Sequence, residues 1–119
     1  MKIVLIWASN NPEKYWNKIL KDLVLKWYIV FPVNPKEEII ERIKAYKNIW
    51  EIMDDYKIVN FVIKPEITLK ILKNNVELLK NKTIWCQPGA SDSNVKDFLK
   101  ENWFKNYIVD SCIMIENLK

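Results

Sequence analysis

The sequence contains no histidine, and this absence excludes several common kinds of active site. A Ser-His-Asp triad, a Cys-His pair and a histidine-ligated zinc site all need an imidazole. Only two cysteines are present, Cys86 and Cys112, which is too few for a disulfide framework. We expect both thiols to stay reduced, with Cys86 as a small core residue because no base is available to activate it. The sequence therefore offers none of these three kinds of active site.

Long hydrophobic runs are also missing. Apolar stretches such as Ile58 to Ile63 have the length of a strand, far short of the ~20 residues that a membrane helix needs. The apolar start of the chain, residues 1–6, is too short for a signal peptide. We therefore expect one cytoplasmic domain over residues 1–119 that does not enter a membrane.

Arginine is nearly absent, since Arg42 is the only one in a chain whose net charge is +4. Proteins that bind nucleic acids usually cluster their charge and use arginine to contact phosphates and bases. The scattered lysines of this chain are typical of solvated helix faces, so we expect no nucleic-acid partner. A mild positive charge favours a small anionic ligand such as a nucleotide. Nothing in the sequence identifies a protein partner.

The segments that are present alternate between strand-like and helix-like patterns. The predicted strands are Lys2 to Ile6, Tyr28 to Val33, Ile58 to Ile63, Thr83 to Cys86 and Tyr107 to Val109, with Ile115 as an alternative end for the last. Such alternation is typical of a parallel sheet covered by helices on both faces, joined by right-handed crossovers. We predict an α/β fold, a Rossmann-like three-layer sandwich with a five-stranded parallel sheet in the order 3-2-1-4-5.

The predicted helices are placed by their caps and their apolar stripes. The first begins with Asn11 as N-cap and Pro12 at the first helical position, which is a favourable helix start. The remaining predicted helices span Lys36 to Lys44, Pro65 to about Lys80, and a segment capped by Ser91 or Ser93.

Polar and conformationally special residues follow the predicted strands, where ligands bind in an open α/β sheet. The loop after the first strand leads into a helix N-terminus, whose free N–H groups favour a phosphate. The second strand ends in Asn34 instead of the acidic residue that holds the ribose of NAD, and Lys36 suits a phosphorylated ribose. The residues that we predict to line the site are Trp7, Ala8, Ser9, Asn10, Lys14, Asn34, Pro35, Lys36, Lys64, Pro65, Gln87 and Gly89.

Four motifs in this chain match those of a known family, in the same order. They are residues 8–15 after the first strand, the Pro-Val-Asn-Pro of residues 32–35, the Gln-Pro-Gly of residues 87–89, and residues 109–113. The chain thereby resembles the stand-alone coenzyme A-binding domain proteins, and is similar to the N-terminal domain of the succinyl-CoA synthetase α subunit. The resemblance implies a Rossmann-like fold that binds coenzyme A or an acyl-CoA at the first loop and the Asn34–Pro35 turn. It also places Cys112 near the ligand, and it implies no reaction.

Two other functions remain open from the residues alone. A small NAD(P)-binding protein related to oxidoreductases would share the fold, although the G-x-G-x-x-G fingerprint is missing. An interaction module that binds no small molecule would result if tryptophan fills a former ligand site.

Glycine is far scarcer than in an average protein. The chain has one glycine, Gly89, where average usage of ~7% would give about eight, and it has six tryptophans. The resemblance pairs Trp7, Trp16, Trp27 and Trp103 with glycines of the family, and Trp50 lies in a predicted loop. We hypothesise that these five positions are glycine codons read as tryptophan. With tryptophan at position 7, we predict that the Trp7 side chain occupies space that a pyrophosphate would need.

Overall fold

Five parallel strands form one sheet in the computed structural model, which describes residues 1–7 and 14–115. The strands along the chain are β1 (Lys2–Ile6), β2 (Ile29–Val33), β3 (Ile39–Ile40), β4 (Ile43–Lys44), β5 (Ile58–Phe61), β6 (Thr83–Cys86) and β7 (Asn106–Val109). The helices are α1 (Tyr15–Leu25), α2 (Pro65–Asn74), α3 (Val76–Leu79) and α4 (Ser93–Glu101). Short 3₁₀ turns cover Ile49–Glu51 and Ile113–Ile115. Within the described ranges, no helix is both long and apolar enough to cross a membrane.

Both faces of the sheet are buried, which explains why its central strands are largely apolar. Side chains alternate along β1, so that Ile3 and Leu5 pack on one face while Val4 and Ile6 pack on the other. Helix α1 covers the first face together with the 3₁₀ turn near the end of the chain. Helices α2 and α4 cover the second face. The predicted α/β three-layer architecture is confirmed.

The order of the strands differs from the predicted 3-2-1-4-5. The sheet runs β2-β1-β5-β6-β7, so the strand at Ile58–Phe61 lies beside β1 and not beyond β2. The place beyond β2 is taken by a single parallel bridge between Val33 and Tyr46, with Tyr46 N–H donating to the Pro32 carbonyl at 2.9 Å. The edge segment at Tyr46 is too short to show a strand pattern in the sequence. The prediction therefore places the next apolar run, Ile58 to Ile63, beyond β2.

The predicted helix over Lys36 to Lys44 is wrong, since β3 and β4 form an antiparallel hairpin there. Its two turn residues, Glu41 and Arg42, both have positive φ, at 49° and 67°. Two-residue hairpin turns of this geometry favour Asn-Gly, and Glu-Arg carries no such signal in the sequence. Asn17 donates to Glu41 Oε1 at 3.0 Å, and this contact fastens the hairpin to α1.

Three helix ends also differ from the prediction. Helix α1 begins at Tyr15 with Lys14 in the N-cap position, and the predicted cap, Asn11, lies outside the described residues along with Pro12. Helix α4 is capped neither by Ser91 nor by Ser93: Asp92 accepts a hydrogen bond from Val95 N–H at 2.9 Å. The helix that Pro65 opens stops at Asn74 and resumes as the short α3.

The last strand, β7, ends at Val109 and does not extend to Ile115.

Candidate functional site

The carboxyl ends of β1, β2, β5 and β6 meet at one edge of the sheet, because these strands are parallel neighbours. Two backbone hydrogen bonds extend this edge past the strands. Val62 N–H donates to the Ile6 carbonyl at 2.9 Å, and Gln87 N–H donates to the Phe61 carbonyl at 3.0 Å. The described site residues that follow these strands are Trp7, Asn34, Pro35, Lys36, Lys64, Pro65, Gln87 and Gly89. That they bind a ligand stays a prediction, and Ala8, Ser9 and Asn10 lie outside the described residues.

A cavity of about 490 Å³ lies at this edge, on the face of the sheet that α2 covers. Of the predicted site residues it brings together only Trp7 and Pro35. The other residues that line it are Ile6, Val33, Lys47, Asn48, Ile49, Trp50, Ile67, Lys70, Ile71, Asn74 and Asn75. Aliphatic side chains and two indoles form most of its wall, while two lysine ammonium groups and three amides give it polar, partly cationic margins. Such a lining suits a flat apolar group that carries negative charge.

The residues on α2 and near the 3₁₀ turn were missed by the sequence reasoning. Lys70, Ile71 and Asn74 come three, four and seven residues after Ile67, which places all four on one face of α2. That periodicity was visible in the sequence, but the sequence alone did not show that this face turns towards the carboxyl edge.

Asn34 has a structural role in this edge. Its side-chain Oδ1 accepts a hydrogen bond from Lys36 N–H at 2.8 Å, and its own N–H donates to the Tyr46 carbonyl at 2.8 Å. Such a turn fixes the backbone two residues on from an asparagine and here sets Pro35 against the cavity. The Lys36 side chain is exposed and does not line the cavity.

A second polar group lies on the opposite face of the sheet, where Tyr15, Gln87 and Cys112 meet. The Tyr15 hydroxyl and the Cys112 thiol are 2.9 Å apart, and either group can donate the hydrogen bond. Gln87 is fully buried and donates from Nε2 to the Tyr15 hydroxyl at 3.1 Å. Its Oε1 accepts from Ile113 N–H at 2.8 Å, so both ends of the amide are fixed. The sequence pointed to Gln87 and Cys112, and it missed Tyr15 as their partner.

The thiol pKa values of the two cysteines are shifted in opposite directions because their surroundings differ. Burial raises the pKa of the Cys112 thiol, but hydrogen bonds from Tyr15, Gln87 and nearby backbone N–H groups outweigh burial and leave this pKa below its ordinary value. Burial, followed by the hydrogen bond to Cys112, raises the pKa of Tyr15. Burial and then the charge of Asp110 raise the pKa of Cys86 to about 12. Neither cysteine forms a disulfide, as predicted, and Cys86 is a core residue.

The remaining predicted residues sit at helix ends. Lys14 occupies the N-cap position of α1, and its ammonium lies 5.8 Å from the ring centroid of Trp16. Lys64 is the N-cap of α2 and Pro65 is its first residue, as the sequence predicted for a helix start. Both lysines are exposed and therefore open to an anion. Among the described residues there is no group of three or more side chains able to hold a metal ion.

Comparison with known proteins gives consistent matches. A family model described as "CoA binding domain" matches residues 1–118. The α subunit of acetate–CoA ligase (ADP-forming) II from Pyrococcus furiosus is 34% identical over 73 residues, and the match spans 59% of this chain but only 16% of that subunit. A conserved hypothetical protein from Pyrococcus furiosus is similar in structure, with a TM-score of 0.91, 40% identity and 98% of each chain covered. A hypothetical protein from Pyrococcus horikoshii OT3 has a TM-score of 0.85 and 28% identity, over 94% of this chain and 78% of that one.

Proposed function

The chain belongs to the family of CoA-binding domains, and we propose that it binds coenzyme A or an acyl-CoA at the carboxyl edge of its sheet. The observation that carries this proposal is the cavity of about 490 Å³ between Trp7, Pro35 and α2. Its volume falls within the range of small-molecule sites, which is about 300–1,000 Å³. Free thiols suit a reducing compartment, so the proposal includes a cytoplasmic location.

The nucleotide end of the ligand is assigned to this cavity. The adenine ring would lie against Val33, Ile67 and the Trp50 indole, because a flat base gains from contact with apolar and aromatic side chains. Lys47 and Lys70 also line the cavity and are exposed, so their ammonium groups would pair with the phosphates. This arrangement supports an adenine nucleotide with several phosphates, which coenzyme A is.

The thiol end is assigned to the opposite side of the edge, near Gln87 and Cys112. The buried Gln87 amide holds the Tyr15 hydroxyl beside the Cys112 thiol, and this makes a small polar group at the end of β6. We propose contact between this group and the pantetheine arm or its thiol, and no chemical step. The proposed role is therefore binding of coenzyme A or its thioesters without turnover.

A ligand panel tests the proposal. Differential scanning fluorimetry with coenzyme A, dephospho-coenzyme A, NADPH and ATP should show the largest rise in Tm with coenzyme A, since a ligand that binds only the folded state stabilises by RT ln(1 + [L]/Kd). Lys70→Gln should weaken coenzyme A binding by roughly tenfold, the effect of losing ~1.4 kcal/mol of charge pairing. Lys73→Gln, on α2 but outside the cavity, is the matched control and should bind normally. A larger response to NADPH, or none to any nucleotide, would reject the proposal.

Trp7 gives a second test of the same site. Its φ is 150°, its side chain is half-buried, and it lines the cavity at the point where β1 ends. The backbone after β1 must approach a phosphate closely, and a residue without a side chain makes that approach easiest. We expect Trp7→Gly to bind coenzyme A more tightly than the chain as written, as measured by isothermal titration calorimetry. Equal affinities would mean that position 7 does not restrict the phosphate site.

A further inference from the structure

The residue after the C-cap of helix α1 is a tryptophan, Trp27, at a position that is usually glycine. Trp27 has a φ of 69°; its N–H donates to the Val24 carbonyl at 3.0 Å, and the next N–H, of Tyr28, donates to the Leu23 carbonyl at 3.1 Å. This pair of hydrogen bonds is the Schellman motif, in which the residue after the C-cap is left-handed and is usually glycine. A side chain at that residue crowds the backbone, because the left-handed region brings Cβ close to its neighbours.

Helix α4 ends in the same way. Trp103 follows the C-cap with a φ of 64°, and the next residue, Phe104, donates its N–H to the Leu99 carbonyl at 3.2 Å. Phe104 is buried and makes the hydrophobic contact that accompanies such a motif, with its ring centroid 6.1 Å from that of Phe98. Both this hydrogen bond and this ring contact are made by the residue after Trp103, and neither involves its indole.

Neither indole gains enough contact to offset its unfavourable backbone. Trp27 is 92% exposed and Trp103 is 85% exposed. A large apolar ring in water loses the burial that normally stabilises a tryptophan in a protein. These two positions therefore combine a backbone suited to glycine with a side chain that has almost no packing role.

Positive φ is concentrated in tryptophan along this chain. In residues 1–7 and 14–115, six residues other than glycine have positive φ, and three of them are tryptophans: Trp7, Trp27 and Trp103. The one glycine, Gly89, has a φ of 88°, so it occupies the same kind of position. The other three are polar or charged turn residues: Glu41, Arg42 and Asp110.

Trp85 shows what an ordinary tryptophan site looks like in this protein. It lies within β6, it is 3% exposed, and its indole N–H donates to the Ser111 carbonyl at 2.8 Å. Its backbone φ is not positive. Buried tryptophans usually pair their N–H in this way, so nothing at position 85 favours glycine.

We infer that positions 7, 27 and 103 are glycine in the protein as its own organism makes it. On this inference the gene carries UGA codons at these positions. The organism's genetic code assigns UGA to glycine, whereas a genetic code that assigns UGA to tryptophan gives the sequence described above. A single reassigned codon lowers the glycine count and raises the tryptophan count together, which matches a chain with one glycine and six tryptophans. Trp16 and Trp50 do not have positive φ, so the backbone supports the inference at three of the five hypothesised positions.

Peptide mass spectrometry of the protein from its source cells, with sequencing of the gene, tests this inference directly. Cleavage after lysine yields peptides 3–14, 27–36 and 101–105, each of which contains one of the three positions, and peptide 83–96, which contains Trp85. We expect UGA codons and glycine masses in the first three peptides, and UGG with a tryptophan mass in the fourth as the internal control.

Tryptophan in peptide 27–36 or in peptide 101–105 would overturn the inference, as would UGG codons at positions 27 and 103. The inference does not depend on coenzyme A binding. Glycine at these positions with no response to coenzyme A would reject the proposed function alone, and tryptophan with tight coenzyme A binding would reject the inference alone.

Discussion

Replacing Trp27 by glycine should stabilise the protein, because it removes backbone strain at the end of α1. A left-handed conformation costs a residue with a Cβ roughly 1–2 kcal/mol. Glycine in turn makes the unfolded chain more flexible, which costs about 0.4–1 kcal/mol. The indole is 92% exposed, so removing it forfeits little burial. The net expectation for Trp27→Gly is a gain in the free energy of unfolding of about 0.5–1 kcal/mol, or a Tm higher by roughly 2–5 °C.

Urea denaturation of three variants separates the causes of this gain. Trp27→Ala removes the indole and keeps the Cβ in the left-handed region, so we expect a smaller change in the urea midpoint than for Trp27→Gly. Trp50→Gly makes the same substitution at an exposed residue whose φ is not positive, and it should lower stability or leave it unchanged. If Trp27→Ala stabilises as much as Trp27→Gly, or if Trp27→Gly destabilises, the argument from backbone strain is refuted.

Two further predictions follow from side chains in the interior. Asn60 is fully buried in β5, and neither polar atom of its amide has a hydrogen-bond partner among residues 1–7 and 14–115. Asn60→Leu should therefore raise the free energy of unfolding by about 1–2 kcal/mol in urea, since an unpaired buried polar group costs about 1–3 kcal/mol. Tyr15→Phe removes a hydrogen bond that lowers the pKa of Cys112, so the rate of Cys112 alkylation by iodoacetamide should rise only at higher pH than in the parent chain. Cys86, whose pKa is about 12, should stay unreactive in the folded protein.

Each of these two predictions has its own control. Asn60→Ala leaves a void and should destabilise, which separates the removal of the amide from the filling of its space. Loss of stability in Asn60→Leu would show that the amide is paired after all. An unchanged alkylation profile in Tyr15→Phe would mean that the phenol does not influence the thiol.

The strands of the sheet could be predicted because their signal is local. Five apolar runs rich in β-branched residues match β1, β2, β5, β6 and β7 to within a few residues. The signal is strongest in the central strands, which are buried on both faces and therefore largely apolar. The hairpin of β3 and β4 could not be predicted, because its turn of Glu41 and Arg42 lacks the residues that favour positive φ. The cap of α4 was misassigned because Ser91, Asp92 and Ser93 are all good N-cap residues, and only the register of the helix selects Asp92.

Among the site residues, too, only those marked by a local motif could be predicted. Motifs identified Gln87 and Cys112, but the contact of Cys112 with Tyr15 joins residues 97 positions apart and exists only once α1 packs on the sheet. The cavity depends on Lys70 and Trp50, which no local pattern marked as site residues.

By itself the sequence determined the alternation of strands and helices, the absence of histidine chemistry and the shortage of glycine, because each is a property of residue types and their spacing. The tertiary structure alone decided the place of β5 beside β1, the pairing of Tyr15 with Cys112 and the left-handed backbone of Trp27 and Trp103. The first two features arise from contacts between distant segments, and the third arises where the chain leaves each helix for the following strand. Local residue preferences do not encode such long-range geometry, so it becomes visible only in the folded chain.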